Sequence, residues 1–254
     1  MTTNDLGTRG FARGTDRYER ARPSYRQDVL DHLCAAAGIG PGTRVLDLAA
    51  GTGKLTRPLV ERGAEVVAVE PSAAMRETFA RVTPGVPVYD GTAERIPAPE
   101  GSYDVVTVAQ AFHWFDPATA LREIARVLRP GGVLAMVWNE RDQDDEFVER
   151  MHLAAEWPFR IFRDYRPDVD ASGLFAPTER RVFRWRDTLT HDRVLERVST
   201  FSYIAAMDEA PRAELLSRVR SAVTEQPDPV DLAYVTDTYI ARKHDRARPE
   251  PAAG

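Results

Sequence analysis

The stretch Val45-Leu-Asp-Leu-Ala-Ala-Gly-Thr-Gly53 constrains this chain more than any other. Val45, Leu46 and Leu48 make a short apolar strand, and Lys54-Leu-Thr-Arg57 opens a helical stretch. Gly51 and Gly53 bracket the turn between them, where a side chain would block a ligand from reaching the backbone. The N–H groups at a helix start have no partner within the helix, so such a turn favours an anionic ligand group.

The pattern departs from the dinucleotide fingerprint twice. Thr56 stands at the third glycine position, and Asp47 lies four residues before Gly51. A carboxylate there repels a pyrophosphate but suits an ammonium group. A second strand, Val66-Val-Ala-Val-Glu70, ends in an acid about twenty residues on, where a ribose-binding carboxylate belongs. A ligand with a ribose, a carboxylate and an ammonium fits better than NAD, and S-adenosylmethionine has all three.

Further motifs follow in order: Glu70-Pro-Ser72, Gly91-Thr-Ala-Glu94, Tyr103-Asp-Val-Val106, Gln110-Ala-Phe-His-Trp-Phe115 and Leu128-Arg-Pro-Gly-Gly-Val133. With the glycine turn they resemble the class I S-adenosylmethionine-dependent methyltransferases of the bacterial small-molecule kind, over about residues 20–139. The resemblance and the strand–helix alternation imply an α/β fold. The expected architecture is a Rossmann-like, doubly wound, mostly parallel seven-stranded sheet with helices on both faces and a helical and aromatic cap, and the resemblance implies a terminal antiparallel hairpin.

The expected organisation is an N-terminal cap segment over 1–25, a cofactor-binding core over 26–139 and a substrate-cap insertion over 140–180. Residues 181–241 then complete the same domain, and 242–254 form a flexible tail. A chain of 254 residues can bury such a core. Lys plus Arg is 34 against 39 Asp plus Glu, a net charge of −5, which argues against nucleic acid as a bulk partner. Cys34 is the only cysteine, so no internal disulfide forms. No apolar run approaches a membrane span, and the N-terminus lacks a signal-peptide core. The expectation is a cytoplasmic protein, monomer or homodimer, with a small-molecule partner and no membrane.

Local patterns place the rest. Residues 26–37 have helical spacing, with Val29, Leu30, Leu33, Cys34 and Ala37 on one face and Gly38 as a stop. Cys34 reads as a packing thiol. Pro58 is expected to kink or loosen the helix after the glycine turn. Strands are expected over 86–89, 103–109, 133–138, 181–187 and 230–241. Asp116-Pro117 marks a helix start. Met151 and the aromatic residues Phe147, Trp157, Phe159, Phe162 and Tyr165 read either as pocket lining or as cap packing. Arg184 and Arg186 share one face of a strand, which reads as a solvated face or as a surface for an anionic substrate or RNA.

The resemblance then implies roles. The cofactor set is Asp47, Ala49, Gly51, Gly53, Glu70, Pro71, Thr92, Ala93, Glu94, Gln110 and Tyr25. Thr92 stands where the family has an acid for the adenine amino group. Residues 13–26 read either as a solvated linker or, by resemblance, as a segment folding over the cofactor. Tyr18, His113, Trp114 and Trp138 are the substrate candidates, and His113 is the candidate base. A ring among Phe112, Trp114 and Phe115 could face a sulfonium. Tyr, Arg and Trp residues suit an aromatic or carboxylate-bearing acceptor. The five histidines lack metal-ligand spacing, so no metal is expected. The activity implied is methyl transfer to oxygen, nitrogen or carbon of a small molecule, leaving S-adenosylhomocysteine. The alternative is an S-adenosylmethionine-binding protein that regulates or assists a rearrangement without methyl transfer. A nicotinamide-dependent dehydrogenase is a third reading, opposed by Asp47 and Thr56.

Overall fold

The computed structural model describes residues 15–156 and 163–245. Seven strands form one sheet in the order β3-β2-β1-β4-β5-β7-β6. They are β1 (Arg44–Leu48), β2 (Glu65–Val69), β3 (Val88–Tyr89), β4 (Tyr103–Ala109), β5 (Leu128–Arg141), β6 (Glu179–Leu189) and β7 (Val230–Arg242). β1 pairs in parallel with β2 and with β4, β2 with β3, and β4 with β5. The central strands are buried apolar runs, as a doubly covered parallel sheet requires: Val45, Leu46, Val106, Val108 and Leu134 have no more than a trace of exposure.

Winding starts at β1, proceeds to β2 and β3, then restarts on the other side of β1 with β4 and β5. Right-handed crossovers on the two sides of that reversal put their helices on opposite faces. The reversal also opens a crevice at the carboxyl ends of β1 and β4.

The chain divides into two compact units. The glycine-turn unit comprises 25–137, 164–181 and 238–254; the aromatic unit comprises 1–24, 138–163 and 182–237. Residues 164–181 thus group with the glycine turn, and 182–237 with 138–163.

In the glycine-turn unit, α2 (Gln27–Ala37) buries the five residues expected of it, Cys34 among them, and Gly38 at φ +70° closes it by donating to the Cys34 carbonyl. α3 (Thr56–Glu61) begins two residues later than the sequence suggested, because Thr52–Leu55 are still turn. Pro58 consequently falls in the first helical turn, where its missing N–H removes no helical bond. α4 (Ala73–Val82) is capped by Ser72, and α5 (Pro117–Val127) by Asp116, whose carboxylate accepts from the Thr119 N–H at 3.1 Å. β3 shrinks to two residues, and β5 extends from Leu128, so Pro130-Gly131-Gly132 lies within a strand. The short α7 (Arg166–Ala171) completes this unit.

The aromatic unit contains α1 (Thr15–Ala21), α6 (Glu146–Ala154), α8 (His191–Ser199), α9 (Ser202–Ala205) and α10 (Glu209–Thr224). Its own core includes Met151, Val194, Ile204, Val219 and Val223, with Trp185 and Phe201 packed against it. Trp185 stacks on Tyr234 at 4.7 Å and donates to Thr236 at 2.9 Å. Arg197, buried, ties α1 to α8 by donating to the Ala21 carbonyl at 2.7 Å and pairing with Asp187 at 2.6 Å. Residues 15–24 are therefore docked in this unit rather than a solvated linker. The basic face of β6 is paired too: Arg184 meets Asp142 and Asp144, and Arg186 meets Asp145. Three carboxylates beside those cations make the strand a poor surface for RNA. Trp157, Phe159 and Phe162 lie outside the described residues.

Candidate active site

The glycine turn is built on backbone that ordinary residues avoid. Ala49, directly after β1, has φ +56°, and Gln110, directly after β4, has φ +58°. Two non-glycine residues in the left-handed region, at the ends of adjacent strands, mark strain at the crevice. Gly51 at φ +58° and Gly53 at φ +82° follow. Their surroundings differ. A Cβ on Gly51 would meet nothing within 4 Å, so the backbone there faces open space. A Cβ on Gly53 would sit 2.6 Å from Thr83 Oγ1 and 2.9 Å from Phe79. Gly51 thus leaves room for a ligand, while Gly53 leaves room for α4.

Glu70 directly follows β2 and is buried. Its two oxygens accept from the Gly51 N–H at 3.0 Å and the Ser72 N–H at 2.9 Å. The carboxylate therefore clamps the glycine turn to the start of α4. Burial pushes its pKa up, and the two backbone donors pull it back. Each oxygen keeps a lone pair for a hydroxyl donor. Pro71 is exposed beside it.

Asp47 is fully buried. Thr107 Oγ1 donates to one oxygen at 2.9 Å and Thr56 Oγ1 to the other at 2.5 Å. This explains the departure from the glycine fingerprint: a glycine at position 56 would leave the carboxylate without that donor. Burial outweighs both hydroxyls and pushes the Asp47 carboxyl up to about 6. Asp47 thus links Thr56, in the first turn of α3, to Thr107 on β4.

The Thr92 turn closes on itself, with Thr92 and Arg95 exchanging backbone bonds of 3.4 and 3.2 Å. Thr92 is exposed and Ala93 buried. Glu94 accepts from the Asp116 N–H at 3.0 Å, which links this turn to the start of α5. Between β4 and α5, a single 3-10 turn spans Phe112–Trp114. Phe112 is buried and packs edge-on to Phe115 and Tyr165, so it is a core ring. His113 is exposed, with its ring 4.7 Å from that of Trp114.

The glycine-turn unit therefore brings together Asp47, Ala49, Gly51, Gly53, Glu70, Pro71, Thr92, Ala93, Glu94 and Gln110 at the carboxyl ends of β1 to β4, with His113 and Trp114 directly after β4. Tyr25 opens this unit and is half-buried. Tyr18 and Trp138 belong to the aromatic unit, and Trp138 is buried at 3% exposure. Among the described residues no group of metal-capable side chains assembles, and no helix is long and apolar enough to cross a membrane.

Residues 46–136 match the family model described as a methyltransferase domain, which begins and ends on the strands framing this site. An uncharacterized methyltransferase of Mycobacterium tuberculosis is 42% identical over 220 residues, covering 85% of this chain and 86% of that protein. The chain belongs to the class I S-adenosylmethionine-dependent methyltransferases. Another member of the family, an uncharacterized methyltransferase of Schizosaccharomyces pombe, is 37% identical over 236 residues, 89% of this chain and 94% of that one. Among solved structures, a protein of Anaeromyxobacter dehalogenans assigned provisionally as a type II methyltransferase superposes with a TM-score of 0.60. It is 27% identical, over 89% of this methyltransferase and 99% of that chain.

One set of groups in this methyltransferase went unread in the sequence. Glu140 and Arg141 end β5, and Arg22, Phe201 and Tyr203 gather with them in the aromatic unit. A charged pair closing a buried apolar strand was the available signal. Its partners lie far away along the chain, which hid it.

Proposed function

We propose that this methyltransferase binds S-adenosylmethionine at the glycine turn and methylates a small-molecule acceptor at oxygen, nitrogen or carbon. The observation that carries the reading is Gly51, whose backbone borders open space while its N–H is fixed on Glu70. When bound, S-adenosylmethionine supplies a methyl group already activated by its sulfonium charge.

The chain's own residues have the remaining tasks. Backbone N–H groups of the turn bind the carboxylate of the methionine end. Glu70 accepts from ribose hydroxyls. Asp47 holds Thr56 and Thr107, and so the turn, in place. Backbone groups of Ala93 and Glu94, with Thr92, border the adenine, and Gln110 shapes the end of β4. Tyr25 and Pro71 flank the cofactor. His113, exposed and directly after β4, takes the proton that the acceptor loses. Trp114 positions the acceptor. Much of the acceleration then comes from alignment and exclusion of water.

Calorimetric titration with S-adenosylmethionine, S-adenosylhomocysteine and NADH tests the cofactor. The first two should bind and the third should not. Absence of binding by a demonstrably folded protein would withdraw the roles given to Gly51 and Glu70. Gly51→Val adds a branched side chain to open space. It should leave the protein folded yet weaken S-adenosylmethionine by about 10–100-fold.

His113→Ala is expected to lower turnover about 100-fold and remove the neutral inflection from the pH–rate profile. Unchanged turnover with intact cofactor affinity would assign the step to positioning alone.

A further inference from the structure

The aromatic unit holds a charged cluster that none of these roles uses. The guanidinium carbon of Arg22 lies 4.3 Å from the centre of the Phe201 ring, and that of Arg141 lies 4.6 Å from the same centre. Arg22 is also 5.4 Å from the Tyr18 ring. Two cations thus share one aromatic ring. The Tyr203 hydroxyl is within electrostatic reach of both. Glu140 faces Arg141, Arg22 and Asp237, and burial pushes its carboxyl up to about 7.

Hydrogen-bonding capacity is left over on both signs of charge. Arg22 Nε and the Tyr203 hydroxyl are buried without a hydrogen-bond partner among the described residues. The bond that Arg22 does make runs from its terminal nitrogen to the Thr200 carbonyl at 3.3 Å. Glu140 is close enough to Arg22 for each to feel the other's charge, yet no ion pair joins them among the described residues. Leaving a buried donor unsatisfied costs about 1–3 kcal/mol, so folded chains ordinarily pair such groups. Arg22 and Glu140, oppositely charged and unjoined, with two donors left over beside them, are arranged to receive a third party. Burial favours the neutral form of Glu140, which tips the cluster toward positive charge.

We propose that this cluster binds a small carboxylate that also carries a hydroxyl or amino group. Arg22 Nε–H and the Tyr203 hydroxyl donate to the ligand's carboxylate, and Arg141 adds the second positive charge. Glu140 accepts from the ligand's hydroxyl or ammonium. Phe201 and Tyr18 supply flat walls. The assignment goes beyond the function proposed above, because it gives a ligand class to a cluster that lies within the aromatic unit alone.

The test is ligand-observed NMR on the full chain, using glycolate, glycine, 3-hydroxybenzoate, 4-hydroxybenzoate and the methyl ester of each. At least one acid should bind, and its ester about tenfold more weakly. Tyr203→Phe deletes a single oxygen that has no partner, so the fold stays intact; affinity for the acid should fall about threefold or more. Arg22→Gln should abolish the preference for acid over ester. The proposal is overturned if no acid binds, if acids and esters bind alike, or if both variants bind as the parent does. S-adenosylmethionine is titrated in parallel and should bind all three proteins equally. Failure of that titration alone counts against the cofactor reading, while carboxylate binding remains a separate readout.

Discussion

Replacing Gly53 with alanine is expected to destabilise the fold by about 3 kcal/mol and to lower Tm by about 9 °C. Two contributions add. The residue sits at φ +82°, where a Cβ costs about 1–2 kcal/mol. That Cβ would also lie 2.6 Å from Thr83 Oγ1 and 2.9 Å from Phe79, and both neighbours are buried. Thr83 has little freedom to move, because its hydroxyl accepts from Arg57 at 3.3 Å. Gly51→Ala is the control: it shares the left-handed backbone but meets open space, so it should cost only about 1 kcal/mol. Calorimetric unfolding of the two variants beside the parent decides the matter. Equal losses would mean that α4 yields to the added methyl and that contact plays no part.

The second large effect is a stability that falls as pH rises from about 4 to 7. Asp47 titrates near 6 in the folded chain, against about 3.9 in an unfolded one. An acid with a raised folded value binds more protons when folded, so its contribution is fully present below the unfolded value. It is lost as pH rises through the folded value. For Asp47 the difference amounts to about 3 kcal/mol. Burial shifts Glu70 in the same direction, and Glu140 up to about 7, which extends the decline toward neutrality. Asp28, Glu123 and Asp164, held down by Arg26, Arg126 and Arg166, act in the opposite sense, but below the ordinary carboxylate range. The two windows are therefore separable. Thermal unfolding of the ligand-free protein from pH 4.5 to 8 should show this decline, and Asp47→Asn should flatten much of it. A Tm that rises over that range would show that Asp47 ionises freely.

The glycine turn and the central strands were legible because their signals are local. A continuous apolar run, two glycines and an acid at the next strand end lie close in sequence, and the parallel sheet turns those distances into one crevice. Asp116 and Ser72 announced their helices for the same reason. What the sequence hid depends on contacts made across it. The hydroxyls that occupy Asp47 come from Thr56, which reads as a missing glycine, and from Thr107, which reads as an ordinary strand residue. Pro58 suggested a kink only because the helix seemed to begin too early. The Arg184 and Arg186 face looked like a bare basic patch until Asp142, Asp144 and Asp145 were found beside it. Arg22 and Phe201 are separated by most of the chain, and no periodicity relates them.

The way the chain is shared between its two units bears on how such a protein can be inherited and rebuilt. It passes from one unit to the other after residues 24, 137, 163, 181 and 237, and the last three strands of the sheet each contain one of these passages. Neither unit is therefore a contiguous piece of gene. No single truncation isolates one, and no single recombination event exchanges one between relatives. A gene rearrangement that keeps either unit intact therefore has to carry both, and the scaffold is transmitted whole.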